Sequence, residues 1–141
     1  MSHTKLIYHM VFSTHCRVPS IVEDHEKELY KWLWDFAVKR RAFVRRIGGM
    51  PDHVHFLCDL PPTVTVADFI KILKSESSKF MTVNPHFPQW NGWTEGYYAN
   101  TVDESSVERV RQYIKNQKTH HKNKSFEEEL DEFWPDRNDR E

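Results

Sequence analysis

The stretch AFVRRIGGMPDHVHFLCDL, residues 42–60, predicts two consecutive β-strands. Residues 42–47 favour a β-strand, which we expect to break at Gly48-Gly49 and Pro51. Residues 53–60 predict the next strand, which is strand three of the chain, and the following Pro61-Pro62 pair ends it. No helix separates the two strands, so they follow each other directly in the chain. They form the centre of a longer order of strands and helices, which the residues on either side complete.

A strand and a helix precede this centre. Residues 5–14 (KLIYHMVFST) alternate, with Tyr8, Met10 and Phe12 on one side, which predicts strand one. In residues 23–41 apolar side chains recur at helical spacing between charged ones, which predicts an amphipathic helix.

A helix, a strand and a further helix follow the centre. Thr65, with Asp68 three residues later, predicts the start of the second helix. Residues 84–96 form a long connection, and residues 97–102 predict strand four. After Asp103, a candidate N-cap, a third helix is expected to run to about His121. The order predicts an α+β fold, a ferredoxin-like split β-α-β antiparallel sheet with an added C-terminal helix. We expect the added C-terminal helix to cover either the second face of the sheet or a partner subunit.

Composition limits the class of protein. The chain has 141 residues, 38% of them hydrophobic, with 20 basic and 21 acidic side chains and a net charge of −1. We expect one domain over residues 1–141, with an acidic C-terminal tail from about residue 126 that frays after a short helix. The start of the chain lacks the layout of a secretory signal, and no apolar run reaches the ~20 residues of a membrane span. The two isolated cysteines indicate reduced thiols and a cytoplasmic protein.

Two histidines alternate at the start of strand three. His53 and His55 project from one side of a strand, while Val54, Phe56 and Cys58 project from the other. The apolar set suits the helix-covered face, so we expect the two imidazoles on the open face. They could chelate a metal ion, or they could be ordinary polar residues of a half-exposed strand.

A tyrosine and a glutamine share one side of the third helix. Tyr113 and Gln117 are four residues apart, so their side chains point together. A phenol can attack a phosphodiester if a metal ion neutralises the developing charge, and a glutamine oxygen is a suitable hard ligand. With the two imidazoles it would suit Mg²⁺ or Mn²⁺. A tyrosine on an apolar helix side also serves as packing, and both interpretations stay open at this point.

Five stretches carry a combined pattern over nearly the whole chain. They are YHMVFSTHCRVP (8–19), MPDHVHFL (50–57), FIKILKSESSKF (69–80), WTEGYYANTV (93–102) and VERVRQYIKNQKTHHKNKSFEEE (107–129). In this order they resemble the single-tyrosine HUH transposases of the IS200/605 type, including those associated with repetitive extragenic palindromes (REP).

The resemblance implies a role for each matching position. His53 and His55 correspond to the histidines that hold a divalent metal ion, and Gln117 to the third ligand. Tyr113 corresponds to the nucleophile that cuts single-stranded DNA, leaving a 5′-phosphotyrosine and a free 3′-hydroxyl. The resemblance also implies a homodimer and a DNA hairpin beside the cleavage point as substrate.

Basic side chains are the candidates for DNA contacts, although each cluster could equally be a solvated surface. The candidates are Arg17, Lys39, Arg40, Arg41, Arg45, Arg46, Lys74 and His121, with Lys71 and Lys79 nearby. Trp90 and Trp93 could stack on unpaired bases, but loop aromatics more often attach a loop to the core. We expect structural roles for His9 and Cys58.

Two other functions compete with strand transfer. A domesticated relative would bind DNA hairpins without cutting them, which the weak overall basicity favours. Histidine-triad nucleotide hydrolases also use alternating histidines, but their pattern needs a third histidine where this chain has Leu57.

Overall fold

The sheet has the predicted topology. The computed structural model describes residues 2–120 and 124–138, without the side chain of residue 120. Within these residues lies a four-stranded sheet in the order β2-β3-β1-β4, with every neighbouring pair antiparallel. The strands are β1 (Ile7–Ser13), β2 (Phe43–Met50), β3 (His53–Asp59) and β4 (Tyr98–Thr101). This order is that of the ferredoxin-like fold, so the α+β prediction is confirmed.

The helices alternate with the strands as predicted and then continue beyond β4. They are α1 (Glu26–Lys39), α2 (Val66–Thr82), α3 (Val107–Lys115), α4 (Gln117–His120) and α5 (Phe126–Phe133). Short 3₁₀ turns lie at His15–Arg17, Glu23–His25 and Glu104–Ser106. The Thr65 hydroxyl accepts a hydrogen bond from the Asp68 amide at 3.1 Å, which confirms the predicted start of the second helix.

The main core lies between the sheet and the helices α1 and α2. Met10 and Phe12 of β1 pack there with Val54 and Phe56 of β3, and all four side chains are buried. The connection after α2 is attached to the same core. Trp93 donates its indole N–H to the Ser77 hydroxyl at 2.9 Å, and Trp90 packs beside it, so these tryptophans hold the loop to the core.

The second face of the sheet is covered rather than open. Ile114 of α3 packs on Leu57, and Leu130 of α5 packs on Val11. His53 and His55 are 0% exposed as a result, so the prediction of an open face was wrong. The apolar stripes of α3 and α5 need burial, and this face of the sheet accommodates both.

Two glycines let β2 continue where a break was predicted. A Cβ at Gly49 would lie 2.2 Å from the His53 carbonyl oxygen, and one at Gly48 would lie 2.9 Å from the Ile114 carbonyl oxygen. The strand therefore runs on to Met50, because glycine allows α3 and the next strand to approach its backbone closely.

The end of the chain differs from the prediction in two places. The third helix ends at Lys115, and after Asn116 a separate turn, α4, carries Gln117. The short helix predicted in the acidic tail is present as α5, but the residues after it do not fray at once. Trp134 is 8% exposed and packs in one cluster with Val11 of β1, so the tail packs against the sheet. Among the described residues, no helix is long and apolar enough to cross a membrane.

Candidate active site

The histidine pair lies on the central strand β3, next to β1. His53 and His55 are opposite Ser13 and Val11 of β1, and their ring centroids are 5.3 Å apart. Period-two alternation places both imidazoles on the side of the sheet that α3 and α5 cover. The structure therefore confirms that they share a side and adds that both are fully buried.

A buried carboxylate that the sequence analysis missed lies against both imidazoles. Glu129 Oε1 is 3.1 Å from His53 Nε2 and 2.6 Å from His55 Nε2, and the Glu129 side chain is 0% exposed. The start of α5 is set by a capping box, in which Ser125 and Glu128 exchange hydrogen bonds. A signal was present in the sequence, because Glu129 follows Phe126 by three residues and therefore lies on the apolar side of the helix.

The same carboxylate joins the tyrosine and the glutamine to the histidines. The Tyr113 hydroxyl donates to Glu129 Oε2 at 2.6 Å, and the Gln117 amide nitrogen donates to the same oxygen at 2.9 Å. The two histidines, the tyrosine and the glutamine that the sequence analysis singled out therefore converge within one chain. They surround the carboxylate of Glu129, which the sequence analysis did not include. The break at Asn116 does not separate Tyr113 from Gln117.

Further polar contacts orient the two imidazoles. His53 Nδ1 is 2.8 Å from Asp52 Oδ1, and Arg17 donates to the other oxygen of Asp52 at 2.9 and 3.0 Å. On the other side, His9 Nε2 is 2.8 Å from His55 Nδ1, and His9 is buried on β1. Such contacts fix which ring nitrogens face the carboxylate. The structural role expected for His9 includes this orienting contact.

The surroundings shift several pKa values. Burial lowers the pKa of His53, but the contacts with Asp52 and Glu129 outweigh burial and leave it above its usual value. Burial alone would raise the pKa of Asp52, yet His53 and Arg17 bring it to about 2. Burial and then Glu129 raise the pKa of the Tyr113 hydroxyl. The phenol therefore keeps its proton near neutral pH, and a cation beside Glu129 would favour losing it.

The donor set fits a divalent metal ion. One ligand atom from each of His53, His55 and Glu129 lies within 4.8 Å of the others. Two imidazole nitrogens and a carboxylate oxygen suit Mn²⁺, and Mg²⁺ less well. Gln117 Oε1 is buried and has no hydrogen-bond partner in the described part of the chain, so it is available as a further oxygen donor.

The basic candidates fall into two groups. Three of them are committed to contacts within the protein: Arg17 to Asp52, Arg45 to Asp59 at 2.5 and 2.9 Å, and Lys74 to the Thr94 carbonyl at 2.9 Å. Burial also lowers the pKa of Lys74.

The other group lies at the end of α1 and on β2. Lys39 and Arg41 are exposed, Arg40 lies over the Phe36 ring at 3.7 Å, and Arg46 has a buried Nε with no hydrogen-bond partner in residues 2–120 and 124–138. His121 lies outside the described residues.

A basic groove with an exposed tryptophan was missed by sequence reasoning. It has a volume of about 560 Å³ and includes Trp34, Lys27, Lys31, Arg46 and Arg111. Trp34 is 46% exposed on the outer side of α1, and basic residues from α1, β2 and α3 lie around it together with Asp35. Lys31 pairs with Asp35 at 2.9 Å and Arg111 with Glu108 at 3.2 Å, both at exposed positions. A large aromatic ring left exposed on an amphipathic helix is a signal that the sequence does contain, and positive charges around such a ring suit an unpaired base with its phosphates.

Several known proteins are similar to this chain in sequence. Residues 2–117 match the family described as "Transposase IS200 like". The ISDra2 transposase TnpA of Deinococcus radiodurans is 32% identical over 120 residues, covering 80% of this chain and 84% of that protein. The transposase for insertion sequence element IS200 of Salmonella typhimurium is 26% identical over 129 residues, 83% of this chain and 81% of that protein.

Solved structures share the fold. The crystal structure of a candidate transposase from Deinococcus radiodurans R1 superposes with a TM-score of 0.65 at 32% identity, covering 82% of this chain and 93% of that one. A REP-associated tyrosine transposase bound to a REP hairpin also has a TM-score of 0.65, at 12% identity, over 86% of this chain and 72% of that one. The matched family region ends at residue 117, so α5 with Glu129 lies beyond it.

Proposed function

The chain belongs to the IS200-like transposase family, and on that premise we propose that it cleaves and rejoins single-stranded DNA beside hairpins. We propose that the reaction depends on a divalent metal ion and proceeds through a covalent 5′-phosphotyrosine on Tyr113. The observation that carries the proposal is the convergence of His53, His55, Tyr113 and Gln117 on the buried Glu129 carboxylate.

The metal ion has a defined set of candidate ligands. His53 and His55 would hold it through their Nε2 atoms, and Glu129 through its carboxylate, because these atoms already converge. Gln117 stays in the proposal as a further oxygen donor, since its buried Oε1 lacks a hydrogen-bond partner among residues 2–120 and 124–138. A bound Mg²⁺ or Mn²⁺ would supply a Lewis acid that polarises the phosphate and neutralises the charge that develops on it.

Tyr113 supplies the nucleophile. Its oxygen attacks the phosphorus atom, the bond from phosphorus to the 3′-oxygen breaks, and that oxygen takes up a proton to become a free 3′-hydroxyl. Glu129 Oε2, which already accepts the phenol hydrogen bond at 2.6 Å, is placed to take up the proton that Tyr113 loses. Attack of a 3′-hydroxyl on the phosphotyrosine reverses these steps and rejoins the strand.

The basic groove is the surface that we propose for the DNA hairpin. A structural neighbour of this chain is bound to a REP hairpin, and the groove offers an exposed ring with positive charges around it. Phosphate contacts from Lys27, Lys31 and Arg46 would supply affinity that falls as salt rises. Stacking on Trp34 would contribute about 1–3 kcal/mol for one unpaired base.

A homodimer is part of the proposal, as the resemblance implies. Tyr113 already reaches Glu129 and the histidines within a single chain, so dimerisation is not needed to complete this arrangement. Light scattering of the purified protein, with and without hairpin DNA, measures the oligomeric state. A monomer under both conditions would remove the dimer from the proposal and leave the chemistry intact.

The chemistry is tested by trapping the covalent intermediate. Single-stranded DNA that carries a hairpin, incubated with the protein and Mn²⁺, should yield a protein–DNA adduct stable to denaturing electrophoresis. Tyr113→Phe should abolish the adduct, and His53→Ala should reduce it strongly. Tyr8→Phe is the matched control, because Tyr8 packs on the opposite face of the sheet and should leave the adduct unchanged.

The outcomes separate the candidate functions. An adduct that survives Tyr113→Phe would overturn the proposed nucleophile. Salt-dependent hairpin binding with no adduct at any Mn²⁺ concentration would favour the non-cleaving relative. Loss of hairpin affinity in Trp34→Ala, but not in Val38→Ala on the same helix, would support the groove, and equal affinities would refute it.

A further inference from the structure

We propose that the protein has a second metal site, selective for Zn²⁺, formed by His25, Glu28 and His86 and separate from the residues that converge on Glu129. One ligand atom from each of the three side chains lies within 4.8 Å of the others. None of the three takes part in the cleavage chemistry described above, and the family resemblance assigns no role to them.

Both histidines place Nδ1 beside one carboxylate oxygen. His25 Nδ1 is 3.1 Å and His86 Nδ1 is 2.5 Å from the same oxygen, Glu28 Oε2. The two imidazole rings are stacked, with centroids 3.8 Å apart and an angle of 11° between their planes. Both rings therefore present the same nitrogen to one carboxylate, and a cation could replace the hydrogen-bonding protons between them.

The three side chains come from two ordered parts of the backbone. His25 closes the 3₁₀ turn Glu23–His25, and Glu28 lies in the first turn of α1, so the pair is spaced by helical geometry. His86 comes from the connection after α2, where the buried Phe87 attaches the backbone to the main core. The site would join α1 to this connection, across 58 residues of chain.

A supporting residue fixes the carboxylate. Asn84 donates its amide N–H to Glu28 Oε1 at 3.2 Å, and its side-chain oxygen accepts the backbone N–H of His86 at 3.0 Å. Asn84 thus orients one ligand and the backbone of another, as outer residues do around bound metals. The hydrogen bonds that Glu28 accepts from the Asn84 amide and from the His86 ring lower the pKa of its carboxyl group.

The donor types favour zinc over the harder cations. Two imidazole nitrogens and one carboxylate oxygen are a common zinc set, with a water molecule completing four-coordination. Mg²⁺ prefers oxygen ligands and octahedral geometry, which a site with two nitrogen donors serves poorly. The half-exposed position of the cluster gives the ion and its water direct access from solvent.

Isothermal titration with ZnCl₂ tests the site. The full-length protein is stripped with EDTA and measured at about pH 7.5, because metal ions compete with protons for histidine ligands and bind more weakly at lower pH. His86→Ala should bind about one Zn²⁺ fewer per chain than the wild-type protein. Glu28→Gln, which keeps the size of the side chain, should weaken the same binding event. Zn²⁺ should raise the melting temperature of the wild type more than that of either variant.

Two controls make the result decisive. His15→Ala removes another exposed histidine and should bind as much Zn²⁺ as the wild type. His86→Ala should form the Mn²⁺-dependent DNA adduct at the wild-type level, so failure of this site and failure of the cleavage chemistry are told apart. Equal Zn²⁺ stoichiometry and affinity in the wild type and His86→Ala would overturn the proposal, as would equal losses in His86→Ala and His15→Ala.

Discussion

Replacing Glu129 with alanine should destabilise the protein even when no metal ion is present. The carboxylate accepts from His53, His55, Tyr113 and Gln117 at 2.6–3.1 Å and is fully buried. Without it, these polar groups lose their shared acceptor in a region from which solvent is excluded. Buried polar groups that lose a partner are among the main causes of large mutational losses.

The size of the loss follows from two opposing contributions. Hydrogen bonds to a charged group contribute about 1.5–3 kcal/mol each, so the four would add to about 6–12 kcal/mol if they were independent. Two effects reduce this loss. The variant no longer has to bury a carboxylate, which costs several kcal/mol, and water can enter the space that the side chain leaves. We therefore expect the free energy of unfolding to fall by about 3–5 kcal/mol.

Urea unfolding in EDTA, followed by circular dichroism, measures this quantity. Glu127→Ala is the matched control, because Glu127 lies two residues away on α5 with an exposed side chain and should change stability by less than about 0.5 kcal/mol. Mn²⁺ should raise the urea midpoint of the wild type and leave that of Glu129→Ala nearly unchanged. A loss below about 1 kcal/mol in Glu129→Ala would contradict this prediction, because the carboxylate would then not be a buried acceptor shared by four groups.

Three further predictions concern the elements around the site. Gly49→Ala should lower the free energy of unfolding by about 3 kcal/mol, because its Cβ would lie 2.2 Å from the His53 carbonyl; a melting curve like that of the wild type would contradict this. Ser125→Ala should cost about 1 kcal/mol through loss of the capping box, and hydrogen exchange should rise first in α5; unchanged exchange there would count against it. Ellman's reagent should modify the exposed Cys16 in the native protein, and Cys58, whose pKa burial raises, only after unfolding; two fast-reacting thiols would disprove the buried position.

Local patterns predicted most of the fold. The alternation in residues 5–14 and the Thr65 cap depend on neighbours in the chain, and both predictions agree with the structure. The predictions that failed concern segments whose conformation depends on contacts with residues far away in the chain. Gly48 and Gly49 were expected to break a strand, but they lie in one, because Ile114 and the start of β3 approach too closely for a side chain.

The candidate site was predicted in part. The two-residue period of a strand predicted that His53 and His55 share one side of β3, and they do. The four-residue spacing of Tyr113 and Gln117 predicted that their side chains lie together, and both donate to the same oxygen of Glu129. Glu129 was absent from the prediction because three consecutive glutamates look like a solvated run. Which of them is buried depends on how α5 rotates against the sheet, and that rotation is set by contacts between Leu130 and Val11.

Sequence alone determined the order of strands and helices, the pairing of two imidazoles on one strand and the identity of the residues that resemble a transposase. These properties follow from short-range periodicity and from side-chain chemistry, which every stretch of chain carries with it. That the second face of the sheet is covered, and that Glu129 links the histidines to Tyr113, follows from the folded arrangement and not from any local pattern. Contacts between residues more than seventy positions apart arise from packing of the whole chain, and no local pattern encodes them.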